Sequence, residues 1–139
     1  DIWDNPFSDA ATAEADKKFA QEVLGYCWRV GQASVTGEAY EVPSRFRAFT
    51  GGDYKFSNEP NADCYAVESP DSFYPADAKT GATFMRYTEN NLIAGTASRF
   101  DNYRTVVIGF PFETIDSRDK RDSLMKQILN FFDKKNDKK

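Results

Sequence analysis

The side chains of this 139-residue chain that could do chemistry are few, and histidine is absent from it. Without an imidazole the chain alone cannot build a Ser-His-Asp triad, a Cys-His dyad or a histidine-ligated zinc. Carboxylates and aromatic rings remain. Glu113 stands in Gly109-Phe110-Pro111-Phe112-Glu113-Thr114-Ile115, between a β-branched apolar run and a capped helix. Strand-to-helix corners of α/β proteins gather functional groups, because strand ends converge there on a crevice. Glu113 is therefore a candidate acid, base or ligand-orienting group; the plainer alternative is a local cap while Phe110 and Phe112 pack. Glu89 sits in Tyr87-Thr88-Glu89-Asn90-Asn91, the tip of an expected hairpin. If that tip folds over the corner, Glu89 and Glu113 face one another, with Tyr87 as a further acid–base partner. Spacing alone places neither acid, so glycoside hydrolysis does not follow from the pair.

Trp3, Trp28, Tyr54 and Tyr74 are candidates to stack on the apolar faces of sugar rings, although core packing is the default where 15% of residues are aromatic. The candidate ligand-binding set is Trp3, Trp28, Tyr87 and Glu113. Asp1, Asp4, Asn5 and Asp9 carry oxygens that suit calcium but lack the spacing and glycine of a calcium loop, so no metal and no cofactor is expected. Cys27 and Cys64 could pair in an exported protein or stay as thiols among aromatics. The net charge of −4 argues against nucleic acid. No apolar run approaches the roughly 20 residues of a membrane-spanning helix.

The elements that must position these groups follow from periodicity. Ala11, Ala15, Phe19, Val23 and Cys27 recur every four residues, which predicts a helix over about 9–25 with that stripe buried and Gly25 ending it. Residues 35–42 alternate as a strand, and 53–56 and 64–68 are shorter candidates. Residues 82–88, 92–99 and 105–110, joined by short turns, predict an antiparallel meander whose last strand is buried on both faces. Asp116 or Ser117 caps a final helix whose apolar positions are Leu124, Met125, Ile128, Leu129 and Phe132. Residues 133–139 form a charged, frayed tail. Taken alone, the pattern is α+β, one domain over 1–139.

The stretch from Val106 to Ile115, with Leu124-Met125 and Ile128-Leu129, resembles the end of the class I glutamine amidotransferase-like domain of Bacteroidetes xanthan lyase-like proteins. Phe19 to Tyr26 with Trp28-Arg29, then Tyr65, Pro70-Asp71, Pro75 and Met85-Arg86-Tyr87 with Asn91, are similar to the same pattern. The resemblance implies an α/β fold, part of a flavodoxin-like three-layer sandwich with a C-terminal antiparallel meander and two main helices. In it the chain is the C-terminal half, exported, with the remainder of its parent protein as partner and a carbohydrate as possible ligand. Active amidotransferases carry His-Pro-Glu at this corner; Pro111-Phe112-Glu113 keeps Pro and Glu without the His, so Glu113 carries over only as a relic. The resemblance implies a non-catalytic scaffold or ligand-binding domain. The alternative is part of a hydrolase or polysaccharide lyase whose nucleophile lies upstream. Half a sheet would also leave an unpaired edge and an apolar face that invite a partner chain or self-association.

Overall fold

The computed structural model describes residues 10–133; Trp3, Asp1, Asp4, Asn5, Asp9 and most of the charged tail lie outside them. A first helix, α1 (Ala10–Phe19), runs into a π-helical turn, Ala20–Leu24. Gly25 then reverses the chain in the left-handed region, at φ 83°. Seven strands follow: β1 (Tyr26–Val30), β2 (Glu38–Glu41), β3 (Asp53–Lys55), β4 (Ser72–Pro75), β5 (Gly81–Tyr87), β6 (Ile93–Arg99) and β7 (Arg104–Ile108). A 3-10 turn, Phe112–Thr114, leads to α2 (Arg118–Phe132), whose first turn is capped by the Ser117 hydroxyl accepting from the Lys120 N–H.

Five strands form one sheet in the order β3-β2-β5-β6-β7, and β1 pairs with β4 as a separate ribbon. All pairings are antiparallel. The fold is thus a mixture of helices with antiparallel sheet, and β5-β6-β7 is the expected meander. Asn91, at φ 59°, takes the positive-φ position in the turn between β5 and β6.

The two faces of the large sheet are covered differently. Along β6 the period of two puts Gly95 and Ala97 on one face and Thr96 and Ser98 on the other. A Cβ at Gly95 would meet the Phe84 ring, which stacks on Phe49 at 4.1 Å; Phe49 in turn packs on Phe131 of α2. That face is aromatic, with Phe46, Phe56 and Phe110 buried alongside Leu124 and Ile128. On the other face Ser98 touches Gly25 and Gly81, and the ribbon strand β4 lies against β6. Small residues let the ribbon approach closely there.

Several expectations are corrected. The α1 stripe is not buried: Ala15 is exposed, as are Phe19 and Val23, and the helix anchors through Ala20 instead. The wider π-helical turn shifts the helical phase, and Cys27 belongs to β1 rather than to the stripe. β7 is an edge strand and every residue of it is half-buried, not enclosed. On α2, Leu124 and Ile128 are buried with Phe131, while Met125, Leu129 and Phe132 face outward. Residues 64–68 form no strand, and 35–37 belong to a loop before β2.

Candidate functional site

The Gly109–Ile115 corner exists as expected, and close packing fixes it. The Asp71 N–H donates to the Gly109 carbonyl at 2.7 Å, and a Cβ on Gly109 would sit 1.9 Å from the Asp71 carbonyl oxygen. Only glycine allows the end of β7 to pass under the segment leading into β4. The Tyr87 hydroxyl donates to the same Asp71 carbonyl at 2.8 Å, and the tyrosine is fully buried. Burial first, and the Asp71 carboxylate second, push its phenol far above the ordinary range. Tyr87 is held in the core as a neutral hydrogen-bond donor.

Glu89 is also committed. Its carboxylate accepts from the Val35 N–H at 2.7 Å and the Thr36 N–H at 3.5 Å, and Asn90 donates to the Ala33 carbonyl at 2.8 Å. Asn58 braces the same loop from its other side, donating to the carbonyls of Val35 and Thr36 at 3.1 and 3.2 Å. The Ser34 hydroxyl and these two amides hold the Glu89 pKa below its ordinary value. The hairpin tip therefore serves the 33–37 loop, and Glu89 and Glu113 make their hydrogen bonds in separate places.

Glu113 is exposed at the 3-10 turn and accepts from the Tyr65 hydroxyl at 2.9 Å. Its own backbone N–H and then Tyr65 lower its pKa, while the bond to Glu113 raises that of Tyr65. Glu113 borders a cleft of about 510 Å³ lined by Ser57, Asp63, Cys64, Asp116 and Arg121 among others. Inside it Asn61 is spent on its own loop, accepting from the N–H groups of Asp63 and Cys64 at 2.9 Å each. The Arg121 guanidinium donates to the Ile115 carbonyl. The Ser57 hydroxyl is committed too, donating to the Glu59 carbonyl at 2.7 Å and accepting from Asn61 at 3.1 Å, and the Thr114 hydroxyl donates to the Pro111 carbonyl at 2.6 Å. The lining also carries the carboxylates of Asp63, Glu113 and Asp116 and the Cys64 thiol, and the exposed Tyr65 ring is tied to it through Glu113.

Trp28 occupies a second, smaller cleft of about 110 Å³, with Tyr26, Asp71, Phe73 and the end of β7. Its indole N–H donates to the Asp71 carboxylate at 3.0 Å. Burial and then Asp71 raise the Tyr26 pKa. Of the other stacking candidates, Tyr74 is 47% exposed, whereas Tyr54 is buried. Tyr54 donates to Glu41, which also accepts from Gln127 at 2.8 Å and from the Gly51 N–H at 2.7 Å. Burial and then Glu41 push the Tyr54 phenol far above the ordinary range. This buried clamp joins β2, β3 and α2.

The structure thus does not unite the candidates proposed from sequence: Tyr87 is enclosed, Glu89 braces a loop, Trp28 and Glu113 line different clefts, and Trp3 lies outside the described residues. Tyr65, the residue that does meet Glu113, is not legible as its partner in the sequence, because 48 residues separate the two and neither flanking pattern signals the contact. Both cysteines are free, Cys27 buried and Cys64 half-buried. Among the described residues no group of three or more His, Cys, Asp or Glu side chains could hold a metal ion, and no helix is long and apolar enough to cross a membrane. No protein-family model, curated protein or solved structure matches this chain.

Proposed function

We propose that the chain is a non-catalytic scaffold or ligand-binding domain of an exported bacterial multidomain protein, with a hydroxyl-rich saccharide as the ligand class. One observation carries this reading. Of the three acid–base candidates read from the sequence, Glu89 and Tyr87 are consumed in holding the backbone, and Glu113 borders a cleft. Its hydrogen-bonding side-chain partner there is a phenol, and the chain contains no imidazole to pair with it. Carboxylates at Asp63, Asp116 and Glu113 accept from sugar hydroxyls, and the Tyr65 ring offers a stacking face beside them. In this reading the corner descends from an amidotransferase-like, flavodoxin-like domain. The parallel strands of such a sandwich would come from other sequence of the parent protein, since the strands described here pair antiparallel throughout.

The test is titration of neutral and uronic acid-containing oligosaccharides into the intact parent domain, followed by NMR shifts of residues around Tyr65. Binding that disappears in both Tyr65→Ala and Glu113→Gln supports the reading. No response to either sugar class removes the ligand-binding part. Cleavage of any glycan that is lost on Glu113→Gln would show a hydrolase or lyase instead.

A further inference from the structure

We propose that the cleft between the β1-β4 ribbon and the end of β7 is an aromatic cage that binds a quaternary ammonium group, with Asp71 as its counter-charge. This site is separate from the Glu113 cleft and does not depend on whether that cleft takes a ligand.

The cage follows from the register of the ribbon. Tyr26 and Trp28 are two residues apart on β1, so they share a face, and Phe73 of β4 stands directly opposite Trp28. The Tyr26 and Phe73 rings meet at 5.3 Å and 57°, forming a corner rather than a stack. Tyr26 and Trp28 are half-buried, and Phe73 is enclosed behind them. The three rings wall a cleft of about 110 Å³ whose far side is the end of β7.

The carboxylate of this cleft is fixed in advance. The Asp71 backbone is held at both polar groups: its N–H donates to the Gly109 carbonyl at 2.7 Å, and its carbonyl accepts from the Tyr87 hydroxyl at 2.8 Å. One carboxylate oxygen accepts from the Trp28 indole N–H at 3.0 Å, which orients the indole as well. Among the described residues no lysine or arginine pairs with Asp71. Its negative charge therefore stands without a cation, beside rings whose faces are themselves electron-rich. Both features favour a positive ligand.

The chemistry of the walls narrows which cation. A primary ammonium brings three N–H donors, whereas among the lining side chains only the Asp71 carboxylate and the Tyr26 hydroxyl accept. A quaternary ammonium brings no donor and needs only ring faces and a counter-charge. Size agrees. A cavity of about 150 Å³ admits benzene, so one of about 110 Å³ suits a headgroup of roughly four or five heavy atoms, a trimethylammonium group rather than a sugar ring.

The test follows the Trp28 indole N–H signal by NMR while choline chloride is titrated into the intact chain to about 50 mM, where a millimolar site is nearly saturated. Sodium chloride serves as the ionic-strength control. Choline should shift the signal saturably. The uncharged analogue, in which tert-butyl replaces trimethylammonium, should bind at least about tenfold more weakly. Asp71→Asn keeps an acceptor for Trp28 and removes the charge, and should weaken choline at least about tenfold while leaving the analogue unaffected. Tyr26→Leu keeps an apolar wall without a π-face and should weaken choline too, with circular dichroism checking that both variants fold. Tyr74→Ala, on the other face of the ribbon, should change nothing. Flotation of the chain with phosphatidylcholine vesicles would assign the group to a lipid headgroup, and choline shifts without flotation to a free solute. Equal binding of choline and its uncharged analogue would overturn the inference. So would the lack of a saturable response, or choline binding that survives both Asp71→Asn and Tyr26→Leu.

Discussion

The two edges of the large sheet have opposite characters. At the β3 edge the backbone is covered by the chain itself. Asp116 donates to the Lys55 carbonyl, Ser57 donates to the Thr114 carbonyl, and Phe56 bridges to Ile115. The strand is three residues long, and its outward residues Asp53 and Lys55 are charged and exposed. At the β7 edge, by contrast, the pattern of pairing with β6 turns the N–H and C=O groups of Val106 and Ile108 outward, and among the described residues nothing bonds to them. A closed edge needs only to be stable, whereas an open one is available for work. The difference shows which edge of the sheet the described residues leave open.

Changes that disturb either edge should rank by how rigid their neighbours are. Gly109→Ala comes first: its Cβ would meet a backbone oxygen that cannot rotate away, so stability to urea should fall by more than about 4 kcal/mol. A near-neutral result would mean that β7 does not exit under Asp71. Next is the closed side, where Glu41→Ala leaves the Gly51 N–H, Tyr54 and Gln127 without their shared acceptor in a buried site. The expected loss is about 3 kcal/mol, measured by thermal and denaturant unfolding.

Smaller effects test the loops that reach the closed edge. Phe56 donates to the Gly37 carbonyl, so the 33–37 loop supports β3 and Glu89 supports that loop. The folded Glu89 pKa lies below 4.5, so its contribution is complete above that value and is lost as pH falls through the folded pKa. Glu89→Gln should flatten this acid limb and, because the group is exposed, cost under about 1 kcal/mol at neutral pH. The smallest change is spectroscopic. Tyr65 should ionise at higher pH than an ordinary tyrosine, and Glu113→Gln should move its ultraviolet titration back down. An unchanged titration would separate the 3-10 turn from the 61–65 loop.

Local signals made much of this fold legible. Gly25 and Ser117 ended and began helices where their chemistry predicts, and the β5-β6-β7 meander followed from alternation and short turns. The ribbon did not, because β1 and β4 define each other across more than 40 residues and neither alternates clearly. Periodicity identified the apolar stripes of α1 and α2 but not which side was covered: Phe19, Val23 and Leu129 read like core and are exposed. The site was harder still. Glu41 and Gln127 lie 86 residues apart, and the only hint was that Glu41 shares a strand face with Ala39. Glu113 was visible by its position, but Tyr65 and the cleft around them depend on how the 57–65 loop folds back.

Residue-resolved hydrogen exchange tests the contrast between the edges most directly. The amide of Ser57, bonded to Thr114 on the closed edge, should be slow. The amides of Val106 and Ile108 should exchange much faster, since nothing among the described residues bonds to them. If those two amides are as slow as that of Ser57, β7 is covered, and the account of the two edges is contradicted.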